Sequence, residues 1–152
     1  MAKYIATSTR EASFDVASMA ETSTKVFVIE VMGRHAGWIA AAGAMASDDK
    51  TPIPIIVLFP EVPFNRRKFI AEVKRKVKEF GYVSIVVSEG VRDGRGKFLS
   101  DQGLVDAFGH AQLGGVAPVV ANMVKQDLGY KFHWAVADYM PVSYTHLRAH
   151  ET

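Results

Sequence analysis

The chain has 152 residues, 49% hydrophobic and 22% charged, a balance that is typical of globular proteins and excludes a disordered tail or a fibrous repeat. Lysine and arginine number 18 against 16 acidic residues, so the net charge of +2 is too small to mark a nucleic-acid or membrane-surface binder. Cysteine is absent, which excludes disulfides, thiolate nucleophiles and cysteine-based zinc sites. No apolar run reaches about 18 residues, so we expect a cytoplasmic protein consisting of one domain or part of a larger one.

Helices and strands alternate in the first third of the chain. A helix is predicted over about 9–20, because Ser8 and Glu11 fit an S-x-x-E capping box. A nearly continuous apolar run at 26–31 follows and indicates a strand that is buried on both faces. An alanine-rich helix then begins near Gly37 and ends before Asp48.

The alternation of helices and strands continues to about residue 137. Three further apolar runs predict strands over 53–59, 83–87 and 134–137. The clearest helix runs from Asn65 as cap to Phe80, with Gly81 as a stop and a basic outer face to which we assign no function. A long glycine-rich loop over 90–115 precedes a helix over about 118–128. This order predicts an α/β fold, with a layered, mostly parallel sheet and helices on both faces.

Ligands of open parallel sheets bind beyond the carboxyl ends of the strands, where helix N-termini offer unpaired N–H groups to anions. The residues Met32, Gly33 and Arg34 follow the first strand and directly precede the alanine-rich helix. Gly33 allows close approach of a ligand to the backbone, and Arg34 offers a fork for a phosphate or for hydroxyl groups. The same residues also fit a tight turn with a surface arginine, so both interpretations stay open.

A carboxylate follows the third strand at the same sheet edge. Glu89 can accept hydrogen bonds from sugar hydroxyls, bind a metal ion, or form a salt bridge with Arg34. Glu61 and Asp138 follow two other strands on this edge, and His35 is either a phosphate contact or an exposed turn residue. The sequence contains no H-E-x-x-H, P-loop or G-x-S-x-G motif. The residues alone therefore predict a site for a phosphorylated metabolite.

Residues 28–40, VIEVMGRHAGWIA, resemble the signature of the phosphofructokinases, and the similarity extends over about 2–140. It continues through three segments, FPE at 59–61, VVSEG at 86–90 and FGHAQLGGVAP at 108–118. In the last two of these, and in YKFHWAVADY at 130–139, the chain is most similar to the pyrophosphate-dependent 6-phosphofructokinases. The resemblance implies a partial phosphofructokinase fold and phosphorylation of fructose 6-phosphate to fructose 1,6-bisphosphate in glycolysis, with pyrophosphate as donor. An ATP-dependent relative is the alternative.

The resemblance also assigns roles to individual residues. Fructose 6-phosphate binding is implied for Met32, Gly33, Arg34 and Glu89. Lys25 takes a place where many relatives have an arginine that reaches the substrate phosphate of a neighbouring subunit, so a homo-oligomer is implied. Tyr139 would open a Tyr-x-x-Arg segment that closes over the sugar phosphate, although the arginine is absent.

Other parts of the family pattern fall outside the chain or fit it less closely. Where ATP-using relatives carry a further phosphate-binding arginine, the resemblance places His133, with Lys131 two residues before it. The family's phosphate loop and its catalytic aspartate are expected upstream of Met1. We therefore assign no catalytic residue to this chain, and expect Mg²⁺ to be bound mainly by parts of the enzyme outside it.

Residues 1–141 are expected to form an internal, substrate-binding fragment that is inactive by itself. Residues 142–152 depart from the family and resemble the translation of a sequencing-library adapter, so we expect a non-native tail and assign no metal site to His146 and His150. The alternative, from a different class, is a non-catalytic sugar-phosphate-binding module. Neither nucleic acid nor a membrane is expected as a partner.

Overall fold

A computed structural model describes residues 1–102, 115–137 and 140 of the chain. The helices and strands follow the predicted order: α1 (Ala2–Met19), β1 (Val26–Val31), α2 (Trp38–Gly43), β2 (Ile55–Leu58), α3 (Arg66–Phe80), β3 (Val83–Ser88), α4 (Val116–Leu128) and β4 (Phe132–Val136). Short 3-10 turns cover Ala44–Ala46 and Leu99–Gln102. Asp138, Tyr139, residues 103–114 of the predicted glycine-rich loop and the tail lie outside the described residues.

The four strands form one sheet in the order β2, β3, β1, β4, and every neighbouring pair is parallel. Val31 pairs with Ser88, so β1 and β3 end at the same level. Strand β2 is shorter than the predicted run, and β4 begins earlier, at Phe132. The predicted α/β fold with a parallel sheet is confirmed.

Helices cover both faces of this sheet. One face packs on α3 and α4 in a cluster that includes Val28, Val73 and Val120. The other packs on α1 and α2 in a cluster that includes Ile5 and Val31. Each fully buried aliphatic side chain of these layers contributes about 1.5–3 kcal/mol, which explains why β1 and β3 are apolar on both faces.

The predicted start of the first helix is wrong. Helix α1 begins at Ala2, and Ser8 and Glu11 lie inside it instead of forming a capping box. Packing against the sheet extends the helix toward its N-terminus, because its buried positions recur every three or four residues, at Ile5, Thr9, Ser13 and Val16. Two of these buried positions carry a hydroxyl group, so the buried face of α1 does not appear as an apolar pattern in the sequence.

Helix α3 has the ends that the sequence predicts. The Asn65 side chain accepts a hydrogen bond from the Lys68 N–H at 3.0 Å, and Gly81 ends the helix with a φ of 87°. Phe80, the last residue of the helix, is 40% exposed. On the outer face Arg75 pairs with two glutamates, so this basic face is solvated and partly neutralised.

Both edges of the sheet are partly open. Every residue of β2 is only half-buried, and β4 exposes the apolar side chains of Trp134 and Val136. Among the residues described, none of the helices combines the length and the apolar character that crossing a bilayer requires.

Candidate functional site at the carboxyl edge of the sheet

The carboxyl ends of β1 and β3 lie side by side, but the chain leaves them toward opposite faces of the sheet. Strand β1 leads into α2, which packs with α1 on one face, whereas β3 leads toward α4 on the other face. Divergence of this kind opens a crevice between the two strand ends, where α/β proteins bind ligands. The fold therefore places the candidate site between Met32-Gly33-Arg34 and Glu89.

Direct hydrogen bonds join the two strand tips. The Gly33 N–H donates to Glu89 Oε1 at 3.1 Å, and the Glu89 N–H donates to the Val31 carbonyl at 3.0 Å. The Ser88 hydroxyl donates to the Gly33 carbonyl. The second carboxylate oxygen of Glu89, Oε2, has no hydrogen bond to any residue that the structure describes, so it can accept one from a ligand.

Two glycines allow the turns after these strands to pack backbone against backbone. Gly33 has a φ of 130°, and a Cβ there would lie 2.5 Å from the Ala36 carbonyl oxygen. A Cβ at Gly90 would overlap the backbone of Arg34. Both positions therefore require glycine if Arg34 and Glu89 are to stay adjacent.

Arg34 is exposed beside Glu89, and the two side chains form no ion pair with each other. The salt-bridge interpretation of these residues is wrong, because the Glu89 carboxylate is held by the Gly33 backbone instead. The Arg34 guanidinium carbon lies 5.8 Å from the centre of the Phe98 ring. Arg34 thus keeps its charge and its donors available for an anion.

The N-terminus of α2 does not offer an unpaired cap N–H to an anion, unlike the helix N-termini considered in the sequence analysis. The helix has only six residues, and the N–H of its cap residue Gly37 donates to Glu61 Oε1 at 2.7 Å. A carboxylate of the protein therefore already occupies the place where an anion would bind.

The structure brings four of the predicted binding residues together: Met32, Gly33, Arg34 and Glu89. Lys25 lies before β1 at the opposite, amino edge of the sheet, and its Nζ donates to the Ala20 carbonyl at 2.5 Å. A strand of six residues spans about 20 Å, so Lys25 does not reach Arg34 within one chain. Lys131 and His133 lie at this same amino edge, and Tyr139 is outside the described residues.

A small hairpin directly after β3 was not predicted. Within it, Arg92 and Phe98 form an antiparallel bridge, and the Asp93 carboxylate accepts the N–H groups of Lys97 at 3.0 Å and Arg95 at 2.9 Å. These hydrogen bonds, that of Lys97 first, lower the pKa of Asp93. The Asp-Gly pair at its tip is the signal by which such a turn can be found in a sequence.

Glu30 is a second feature that the sequence analysis missed. It is 7% exposed within the otherwise apolar strand β1, and its Oε2 accepts the Ala117 N–H at 2.9 Å, in the first turn of α4. A single carboxylate inside an apolar run was the available signal. Its bond ties the start of α4 to the strand that ends in the candidate site.

Metal binding finds no support in this part of the chain. Over residues 1–102 and 115–137 there is no group of three or more histidine, aspartate or glutamate side chains that could hold an ion.

The comparison with protein families decides the relationship of the chain. Residues 4–136 match the sequence profile described as Phosphofructokinase. The chain belongs to the phosphofructokinase family. The predicted resemblance to this family is thus confirmed.

Two curated relatives and one solved structure show how far the similarity extends. The chain is 63% identical to the pyrophosphate–fructose 6-phosphate 1-phosphotransferase of Halomonas elongata over 147 residues, which is 97% of this chain and 35% of that protein. For the protein of the same description from Methylococcus capsulatus the identity is 58%, with the same coverage. The crystal structure of a pyrophosphate-dependent phosphofructokinase from Nitrosospira multiformis is 61% identical, with a TM-score of 0.80 over 91% of this chain and 31% of that one. This phosphofructokinase chain spans about a third of the length of the curated relatives it matches.

Proposed function

We propose that the chain is the sugar-phosphate-binding part of a pyrophosphate-dependent 6-phosphofructokinase. Such an enzyme transfers a phosphoryl group from pyrophosphate to fructose 6-phosphate and forms fructose 1,6-bisphosphate. The observation that carries the proposal is that Arg34 and Glu89 follow adjacent strand tips, which the hydrogen bond from the Gly33 N–H to Glu89 joins. Membership of the family and the descriptions of the relatives support the substrate and the donor.

The chemistry of the proposed site follows from its donors and acceptors. Arg34 offers parallel N–H groups that match two oxygens of a phosphate, and a charge-assisted contact of this type contributes about 1.5–3 kcal/mol. Glu89 accepts a sugar hydroxyl through Oε2 while Oε1 stays on the Gly33 N–H. Gly33 permits close approach of the sugar to the backbone, and the half-buried Met32 supplies an apolar contact to the hexose.

The contribution of this chain to catalysis is to position the acceptor sugar. Phosphoryl transfer depends mainly on positioning and on electrostatic stabilisation of the transferring group. We assign no base and no metal ligand to the described residues. Magnesium would neutralise charge on the phosphates when bound, and none of the roles proposed above depends on it.

The remaining predicted residues require a second subunit or parts beyond the described residues. We propose that Lys25 acts on the substrate phosphate of a neighbouring subunit, because the length of β1 separates it from the site of its own chain. This proposal includes a homo-oligomer. Closure of Tyr139 over the sugar phosphate, a cytoplasmic location and a place in glycolysis are parts of the same proposal.

The experiment is a comparison of phosphoryl donors in the complete enzyme that contains this segment. We expect turnover of fructose 6-phosphate with pyrophosphate and none above background with ATP. Turnover with ATP alone would show that the donor is wrong, and absence of turnover with both donors would overturn the function. The isolated 152-residue chain is expected to show no turnover; robust activity in it would contradict a purely sugar-binding role.

A further inference from the structure

The hairpin after β3 brings a second arginine close to the candidate site. Arg92 lies opposite Phe98 in an antiparallel bridge, and its guanidinium carbon is 4.3 Å from the centre of the Phe98 ring. The Arg34 guanidinium carbon lies 5.8 Å from the same centre. Both distances are within the range of cation–π contacts, so one phenyl ring holds two guanidinium groups.

The hairpin is anchored at both ends. At its base Val91 and Leu99 are each 1% exposed, and the Leu99 N–H donates to the Val91 carbonyl at 3.0 Å. At its tip the Asp93 carboxylate accepts two backbone N–H groups. Arg92 is therefore presented from a fixed position, which reduces the entropy lost when its side chain binds a ligand.

Arg34 and Arg92 are two arginines that contact the same ring beside the candidate site. In the part of the chain that the structure describes, neither Arg34 nor Arg92 forms an ion pair with a carboxylate. Arg92 Nη2 lies 3.4 Å from Nδ1 of His35, which is not a carboxylate. Two arginines that contact one ring and form no ion pair with a described carboxylate are suited to a ligand that carries several anionic oxygens.

We propose that Arg92 is a second phosphoryl-binding residue of this site, and that Phe98 is the residue that positions Arg34 and Arg92. The inference rests on the proposed function and deepens it by adding a binding residue that the sequence analysis did not assign. The planar fork of an arginine can bind two oxygens of a phosphoryl group, whereas a lysine acts as a single point charge. The phosphoryl group belongs either to fructose 6-phosphate or to pyrophosphate, and the experiment distinguishes these sources.

The test is steady-state kinetics of the complete enzyme with each substrate varied in turn. Arg92→Ala is expected to raise KM at least about tenfold for the substrate whose phosphoryl group it binds, with kcat changed less than about threefold. A rise in the KM of fructose 6-phosphate assigns the contact to the sugar phosphate, and a rise in that of pyrophosphate assigns it to the donor. The matched control is Arg95→Ala, which removes the same charge from the exposed tip of the hairpin and is expected to leave both KM values within about twofold.

Phe98 is tested by a pair of variants that separate positioning from packing. Phe98→Leu removes the aromatic face and is expected to raise the same KM about threefold or more, whereas Phe98→Tyr keeps the ring and restores the value. A purely structural role would lower Tm in Phe98→Leu without changing KM, which would overturn the positioning role. If Arg92→Ala lowers Tm strongly, Arg92→Gln keeps much of the side-chain length and gives the same test.

Arg34→Ala, measured in parallel, distinguishes the failure of this inference from failure of the proposed function. An increase of KM in Arg34→Ala, with no increase in either Arg92 variant, would overturn the role of Arg92 and leave the proposed function standing. Unchanged kinetics in both the Arg34 and the Arg92 variants would overturn both.

Discussion

At the residue scale, the candidate site depends on the different roles of the two carboxylate oxygens of Glu89. Oε1 accepts a hydrogen bond from the Gly33 N–H at 3.1 Å and so fixes the turn that contains Arg34. Oε2 is left for a ligand. Because Glu89 is committed to the backbone, Arg34 is not neutralised by it, and the site keeps a cation and an acceptor side by side. That is the combination that a phosphorylated sugar needs.

Loss of the Arg34 guanidinium is predicted to weaken the use of fructose 6-phosphate. In the complete enzyme, Arg34→Ala should lower kcat/KM for this substrate by about 2 kcal/mol or more, the scale of a charge-assisted hydrogen bond. Arg34→Lys should recover only part of this loss, since lysine keeps the charge without the fork. Unchanged kcat/KM in Arg34→Ala would mean that the guanidinium does not touch the substrate.

A methyl group at Gly90 is predicted to separate the two strand tips. The Cβ of Gly90→Ala would overlap the Arg34 backbone, which cannot move aside as a flexible side chain could. We expect a loss of about 1–3 kcal/mol in unfolding free energy, the usual cost of overpacking, and a higher KM for fructose 6-phosphate. The control is Gly94→Ala, where an added Cβ meets nothing within 4 Å. Equal stability of the two variants by denaturant titration would contradict the close packing.

At the element scale, the sequence predicts those elements whose signals are local. Asn65 and Gly81 mark the ends of α3 because capping depends on residues within one turn. The start of α1 could not be predicted in this way, because Thr9 and Ser13 are buried only through packing on the sheet. The proximity of the strand tips could be predicted, since parallel strands end at a common edge. The ring contacts of Phe98 could not, because they depend on a hairpin whose partner strands are one or two residues long.

The ion pair between α3 and α4 is predicted to make stability depend on pH in acid. Asp127 accepts hydrogen bonds from Arg66 Nε at 2.9 Å and Nη2 at 2.8 Å, and these bonds lower the pKa of Asp127 in the folded chain. The stabilisation is therefore present above the unfolded pKa of about 3.9 and is lost as the pH falls through the lower folded value.

The variant that tests this is Asp127→Asn, whose Tm should fall less between about pH 5 and about pH 2 than that of the parent. Asp49→Asn is the control, because Asp49 is exposed and has no ion pair within the described residues. The effect should be small, since the pair is at the surface. Identical pH profiles for Asp127→Asn and the parent would show that the bridge does not persist in solution.

At the scale of the whole molecule, the chain corresponds to about a third of its curated relatives and has a sheet with two partly open edges. The outer strand β4 presents Trp134, 46% exposed, and Val136, 43% exposed. An unpaired strand edge beside apolar side chains is a template for pairing with another chain. The open edges thus make the isolated chain prone to association, whatever its role in a complete enzyme.

The isolated chain is predicted to self-associate through β4. Size-exclusion chromatography with light scattering should show species larger than a monomer, and Val136→Lys should reduce them, because a charge on an edge strand opposes pairing. Ala71→Lys adds the same charge to an exposed position of α3 and should have no such effect. A monodisperse monomer with a cooperative thermal transition would contradict this prediction.

The most direct measurement is a crystal structure of the complete enzyme with fructose 6-phosphate bound. We expect the Arg34 guanidinium and Glu89 Oε2 each to lie about 2.7–3.2 Å from an oxygen of the same sugar phosphate, bound between the carboxyl ends of β1 and β3. A sugar phosphate bound elsewhere, or one that contacts neither of these two side chains, would contradict the account.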